Sequence, residues 1–238
     1  MDGRKVLPGQ AVVYPVRDDT PMGETDDHRD ELQDWAVNVL RDYFKDDPLV
    51  YVSGNNFIYF EEGSPQECVS PDTYVVKGVP SRQRDLYKVW EEGGRTPCFV
   101  LEITSKSTRR ADRGEKMAKY RDDLHVQEYF LFDPHGEWLA EGLQGYALEA
   151  GVYQPIVRTT SGRLPSRTLG LELALIGGHL RFFPPGAALP LPTRAERAER
   201  ARQQAARERL RAEEAEREVE RLRAELKRLR GPGTEGRD

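Results

Sequence analysis

The chain has 238 residues, of which 32% are charged, with 36 Lys/Arg against 41 Asp/Glu and a formal net charge of −5; this length holds one substantial domain and an extension. Its two cysteines, Cys68 and Cys98, form neither a CxxC nor a Cys/His cluster, which argues against a disulfide framework and a zinc site. The first residues, Met-Asp-Gly-Arg-Lys, lack the apolar core of a signal peptide and no run reaches the length of a membrane span, so a cytoplasmic protein without a membrane partner is expected.

Residues 1–24 mix prolines, acids and glycines and read as an N-terminal arm, with a possible strand at Ala11–Tyr14. A helix is predicted from Asp26 to Phe44. Thr25 is placed as its N-cap, Asp26 and Asp27 sit at the positive end of the dipole, and Leu32, Trp35, Ala36, Val39, Leu40 and Tyr43 form an apolar stripe. His28 continues that stripe one turn earlier. After Pro48 the pattern turns to strands: Leu49–Ser53 and Phe57–Phe60 flank Gly54-Asn55-Asn56, which reads as a hairpin turn. Thr73–Val76 reads as the next strand, then a polar insertion from Lys77 to Thr96 carrying Arg82, Arg84 and Lys88, then a buried strand from Pro97 to Ile103.

Two carboxylates stand out here, Asp72 behind a proline in Ser70-Pro71-Asp72 and Glu102 near the end of Phe99-Val100-Leu101-Glu102-Ile103. A carboxylate inside an apolar run needs a partner, because burying an unpaired charge costs several kcal/mol or forces protonation. An acid entering one strand and another leaving a second can meet at a sheet edge and hold a hard cation such as Mg²⁺, while a proline before an Asp can equally mark a plain turn. A helix predicted from Arg109 to Asp122 puts Asp112, Lys116 and Tyr120 on one face. Val126–Phe132 is a further strand, and Tyr146–Leu148 with Val152–Val157 reads as a meander. This order of elements indicates an α/β or α+β layered domain over 25–183, and neither a P-loop nor a dinucleotide-binding glycine motif is present.

Residues 184–193 contain Pro184, Pro185, Pro190 and Pro192 and read as a stiff linker to a long helix over 194–230, followed by a disordered tail over 231–238. Thirteen basic and nine acidic residues fall in 194–230, and one and two in 231–238, which leaves 22 basic and 30 acidic residues, net −8, in the rest. Nucleic acid would therefore have to meet a local patch or a metal, not a global basic field. A heptad with a at 198, 205, 212, 219 and 226 and d at 201, 208, 215, 222 and 229 gives a seam that is strong only toward its end and is interrupted by Glu208. The flanking pairs Arg211 with Glu216, Glu218 with Arg223 and Glu225 with Arg230 are opposite in sign, the pattern of a parallel homodimer. A single solvated helix held by pairs such as Glu196 with Arg200 is the alternative.

Three ordered blocks resemble the Uma-two family, restriction-endonuclease-like proteins within the PD-(D/E)XK nuclease superfamily. They are Ser70 to Val76, Val100 to Lys116, and Tyr120 followed by Val126 to Pro134, within a resemblance covering residues 25–180. The resemblance implies a restriction-endonuclease-like core of mixed β-sheet flanked by helices, metal-binding Asp72 and Glu102 with the Ile103 carbonyl, and a site histidine at His28, for which a satisfied histidine capping the core edge is the equal alternative. One position departs from the broader nuclease pattern: Thr104 stands where a lysine is expected two residues after the glutamate. Lys116 is the best substitute, with an ion pair to Asp112 as its plainer role, and Lys106 is expected in a solvent-facing loop. Arg109, Arg110 and Arg113 are candidates for phosphate contact or an exposed helix face, and Tyr120 and Tyr129 for packing. The implied activity is Mg²⁺- or Mn²⁺-dependent hydrolysis of DNA phosphodiester bonds by Asp72, Glu102, Lys116 and His28. The rival is an inactive nuclease-fold module that assembles with partners through the coiled coil.

Overall fold

The computed structural model describes residues 12–16 and 27–229, with the backbone alone for 27–34. Two compact units divide at residue 191. In the first, helix α1 (Asp27–Tyr43) is followed by strands β1 (Val50–Ser53), β2 (Ile58–Tyr59), β3 (Cys68–Val69), β4 (Thr73–Lys77), β5 (Tyr87–Lys88) and β6 (Phe99–Ile103). Helices α2 (Arg109–Arg113) and α3 (Glu115–Asp122) come next, then β7 (Glu128–Phe132), β8 (Leu143–Glu149), β9 (Val152–Pro155), β10 (Leu164–Ser166), β11 (Leu171–Ile176) and β12 (His179–Phe183). The second unit is helix α4 (Arg194–Leu229). This is an α+β fold built on a mixed sheet with a long C-terminal helix, as the order of elements predicts.

The main sheet has the order β1-β4-β6-β7-β8-β9, antiparallel except for the central β6–β7 pair. Both faces are covered, which is why β6 and β7 read as continuous apolar runs instead of alternating ones. Alternation along β6 sends Phe99, Leu101 and Ile103 toward α1 and the β10-β11-β12 sheet, and Val100 toward Tyr120, Leu124 and Tyr129 on the other face. Glu102 shares the parity of Val100 and so faces α3.

Two expectations change. β1 does not form a hairpin with β2: it pairs with β4, and β2 leaves for a small sheet in which it runs antiparallel to β3 and parallel to β5. Gly54-Asn55-Asn56 is the point of departure, where Asn55 takes a left-handed φ of 59° and its amide donates to the Pro71 carbonyl at 3.0 Å. The single helix expected over 109–122 is two, broken at Gly114, whose φ of −121° and ψ of −100° fall outside the helical region. An added Cβ there would lie 2.8 Å from the Arg110 carbonyl oxygen.

Val12–Tyr14 forms no strand, and Ala11 lies outside the described residues. Tyr14 instead packs edge-on against Tyr59 with centroids 5.0 Å apart, and its hydroxyl accepts the Gly63 amide at 2.7 Å. The proline-rich segment stays attached to the first unit as far as Leu191, whose amide donates to the Phe182 carbonyl at 2.7 Å. Among the described residues, no helix is long and apolar enough to cross a membrane.

Candidate active site

The register of β4 with β6 pairs Tyr74 with Val100 and Thr73 with Leu101. Continued by one residue, it sets Asp72 opposite Glu102. The Ile103 amide confirms the approach, donating to Asp72 Oδ2 at 2.6 Å. Both carboxylates are buried, Asp72 at 2% and Glu102 at 0% exposure. Asp72 is fixed from behind by Gly54: a Cβ at that position would sit 2.1 Å from the Asp72 carbonyl oxygen, so only a bare α-carbon lets the end of β1 pass so close to the start of β4.

Helices α2 and α3 supply the rest. Lys116 Nζ lies 3.0 Å from Glu102 Oε2 and 3.1 Å from Asp112 Oδ1. Its side chain keeps 23% exposure while Asp112 keeps 1%, so Lys116 is the member of the cluster that stays in contact with water. The Tyr120 hydroxyl donates to Glu102 Oε1 at 2.6 Å. Tyr129 packs against the Tyr120 ring at 5.2 Å and donates to the Asp112 backbone carbonyl at 2.7 Å. Spacing of four residues therefore survives the break at Gly114, with Asp112, Lys116 and Tyr120 all turned toward one glutamate.

Three buried carboxylates surround one cation. Burial pushes the Glu102 carboxyl up to about 8; Lys116 pulls it down, the negative charges of Asp72 and Asp112 raise it, and the Tyr120 hydroxyl lowers it. For Lys116, burial acts to lower the pKa, but the carboxylates of Glu102, Asp112 and Asp72 outweigh it and hold the ammonium charged. The surplus of buried negative charge thus falls on Glu102. Burial, followed by the neighbouring Glu102 charge, also holds the Tyr120 phenol well above its ordinary range, so it remains a donor.

Thr104, at the position where a lysine is expected, is buried with no hydrogen-bond partner for its hydroxyl. Lys106 is exposed, as its loop position predicts, and so are Arg110 and Arg113. Arg109 lays its guanidinium 3.9 Å over the Trp138 ring. Cys98 packs against the core, and burial pushes its thiol up to about 11. His28 is in the first turn of α1, but its side chain is outside the described residues. Thr25 and Asp26 also lie outside them.

Sequence reasoning gave Tyr120 a packing role and missed its hydroxyl. The i, i+4, i+8 series Asp112, Lys116, Tyr120 was the available signal. It also missed Glu128, a second buried glutamate, which accepts the Arg167 amide at 2.7 Å and the Thr168 hydroxyl at 2.6 Å and ties β7 to the β10-β11 turn. With several donors and, among the described residues, no ion pair, Glu128 fastens one part of the fold to another, whereas Glu102 faces a lysine whose side chain reaches solvent.

No curated protein sequence matches the chain. Among solved structures, one that resembles it is described as "a putative nuclease belonging to DUF820", from Anabaena variabilis; the match is 14% identical, spans 68% of this chain and 80% of that one, and has a TM-score of 0.43. The family model Uma2, described as "Putative restriction endonuclease", matches residues 18–176. That stretch is more than half of the 238 residues and contains every element of the Asp72, Glu102, Asp112, Lys116 and Tyr120 cluster, and the chain belongs to the Uma2 family.

Proposed function

We propose that the chain is a Mg²⁺- or Mn²⁺-dependent endonuclease that hydrolyses DNA phosphodiester bonds at the Asp72–Glu102 cluster. The observation that carries this reading is the Lys116 ammonium, 3.0 Å from Glu102 Oε2 although it comes from α3 and not from β6. An Asp, a Glu and a Lys converge even though Thr104 stands where the lysine is expected. Family membership supports a nuclease; the divalent ion, DNA as the substrate and the roles of single residues belong to the proposal.

The donor set fits a hard divalent cation. Three buried carboxylates face the single ammonium of Lys116, Glu102 bears the cost, and among the described residues the Asp112 carboxylate has only its ion pair with that ammonium at 3.1 Å. Among the described residues no three acidic, histidine or cysteine side chains form a closed cage. Mg²⁺ suits such a place, since it keeps several waters and takes only one or two protein carboxylates. Asp72 and Glu102 would hold it, joined by the Ile103 carbonyl, which in an extended strand leaves on the same edge as the amide that reaches Asp72. When bound, the cation would polarise the scissile phosphate and lower the pKa of water.

The chain's own residues would do the rest. Tyr120 orients one oxygen of Glu102, so that the other is presented toward Lys116. Lys116, partly open to solvent and held charged, would meet the negative charge that develops on the phosphate. Asp112 steadies that ammonium from one turn earlier. Arg109 on Trp138 pairs a cation with an aromatic face, a surface suited to a phosphate and a base.

Incubation with supercoiled plasmid and with single-stranded DNA, with Mg²⁺, Mn²⁺ or EDTA, tests the proposal. Cleavage that requires the ion and is lost in Asp72→Ala and Glu102→Ala is expected. Cleavage indifferent to both substitutions would reject this site. The absence of both cleavage and saturable metal binding would favour the inactive module over the enzyme.

A further inference from the structure

We propose that the last third of α4 is a dimerisation element, forming a parallel two-stranded coiled coil with a second copy of this chain. The helix spans 36 residues, none of them buried, and every residue from 201 to 229 is exposed. Besides Leu210, exposed at 53% but off the stripe, four large aliphatic side chains stand in that solvated run: Val219 and Leu222 at 46% exposure, Leu226 at 54% and Leu229 at 79%. Their spacing of three, four and three residues keeps them on one stripe, the a and d positions of successive heptads. Upstream, the same positions carry Ala201, Ala205, Glu208, Ala212 and Ala215, too small or too polar for a seam.

The charges select the occupant and its direction. Side-by-side in parallel, the stripe brings Arg211 and Glu218 of one copy to Glu216 and Arg223 of the other, opposite in sign at each pair. Reversing one helix to cover the same stripe aligns Val219 with Leu229 and Leu222 with Leu226. It then sets Glu225 against Glu225 and Arg223 against Arg223, which repel. The ion pairs within α4 join Arg209 to Glu213 at 3.2 Å, Arg217 to Glu213 at 3.9 Å and Arg221 to Glu218 at 2.7 Å. Among the described residues, none of these employs Arg211, Glu216, Arg223 or Glu225, so most of the charges flanking the stripe stay available for a neighbour.

Because the chains run the same way, both first units join the coil at one end. Two copies of the Asp72–Glu102 cluster are then tethered together, an arrangement that suits the two strands of a duplex. The dimer does not depend on cleavage and is tested without it. Light scattering on the full-length chain at micromolar concentration should give the mass of two chains, and Leu222→Glu with Leu226→Glu should give the mass of one while thermal unfolding of the first unit stays unchanged. Direction is read by mild oxidation, with the wild-type chain as control for Cys68 and Cys98. Leu229→Cys alone should cross-link to itself, as position 229 faces 229 in the parallel pair. A monomeric wild-type chain would overturn the proposal. So would cross-linking that arises only when Leu229→Cys is mixed with Val219→Cys, the antiparallel result.

Discussion

Replacing Gly54 with alanine should damage the candidate site through the backbone of Asp72, without touching any of its side chains. The new Cβ would meet the Asp72 carbonyl oxygen at 2.1 Å, its carbon at 3.0 Å and Val37 Cγ2 at 3.0 Å. Ordinary contact begins near 3.4 Å, so the start of β4 must retreat by about 1.3 Å. Overpacking of this kind costs about 3 kcal/mol, at the upper end of its usual range, which for a unit of this size lowers the melting temperature by roughly 6–12 °C. A retreat of that size would also pull Asp72 Oδ2 from the Ile103 amide, now 2.6 Å away. A misplacement of about 1 Å at a reacting centre can reduce a rate by about 10²-fold. Gly145→Ala is the control, since its Cβ would press on the Phe130 ring at 2.6 Å, in β8 and away from Asp72. Melting curves, hydrogen exchange at the Ile103 amide and ion-dependent cleavage, all below the unfolding transition, separate the two. Gly54→Ala should lose stability, Ile103 protection and cleavage together, whereas Gly145→Ala should lose only stability. A Gly54→Ala chain that melts normally and keeps its Ile103 amide protected would refute the close approach as the support of Asp72.

Lys116→Met leaves Glu102 and Asp112 without their shared ammonium; cleavage of plasmid DNA should fall by about 10²–10³-fold, comparable to removing one preorganised transition-state contact, with the DNA-binding constant nearly unchanged. Tyr120→Phe deletes the 2.6 Å hydrogen bond to Glu102 Oε1 and should cost about 0.5–1.5 kcal/mol in urea unfolding at neutral pH, the range for a bond between neutral groups, since the raised pKa keeps Glu102 largely protonated there. Glu102 also sets a pH dependence. Its folded pKa, raised from 4.5 to about 8, means that the unfolded chain releases the proton first, so stability falls as pH rises from 4.5 to 8. Each pH unit in that window is worth at most about 1.4 kcal/mol, and urea titrations at pH 5, 6.5 and 8 should show a shallower slope for Glu102→Gln than for the wild-type chain.

The sequence showed which residues converge more clearly than it showed the path of the chain between them. Asp72, Glu102 and Lys116 were legible because each breaks a local rule: an acid behind a proline at a strand start, an acid in an apolar run, and a lysine on a helical face shared with an acid and a tyrosine. The hairpin across Gly54-Asn55-Asn56 failed because its glycine serves a long-range demand, the passage of β1 beside Asp72, instead of a tight turn. Local turn chemistry carries no sign of that difference. The break at Gly114 leaves no mark in the sequence for a related reason, since helical spacing of the side chains persists through a break whose cause is the backbone alone. The β10-β11-β12 sheet, over 164–183, is not foreseen from the sequence although Leu171, Leu173 and Leu175 alternate along β11, because its place is fixed by Glu128 from β7, a partner 38 to 40 residues away.

The position of the lysine follows from how the sheet is covered. Glu102 and residue 104 share one face of β6, and beyond Glu102 that face is occupied by α3, whose Tyr120 ring packs on Tyr129 and whose hydroxyl already takes one Glu102 oxygen. A lysine at 104 would approach the glutamate along its own strand, whereas Lys116 arrives from the covering helix and reaches Glu102 and Asp112 at once. Its charge therefore links the helix pair to the sheet as well as standing beside the carboxylates. The cluster is costly to bury, with Glu102 pushed up to about 8 chiefly by desolvation, and it is held by apolar packing on both faces of the main sheet. A divalent ion at Asp72 and Glu102 would offset that surplus charge. Binding of the ion and stability of the first unit should then rise together, so an ion-dependent increase in melting temperature that disappears in Glu102→Gln ties the two at the same atoms.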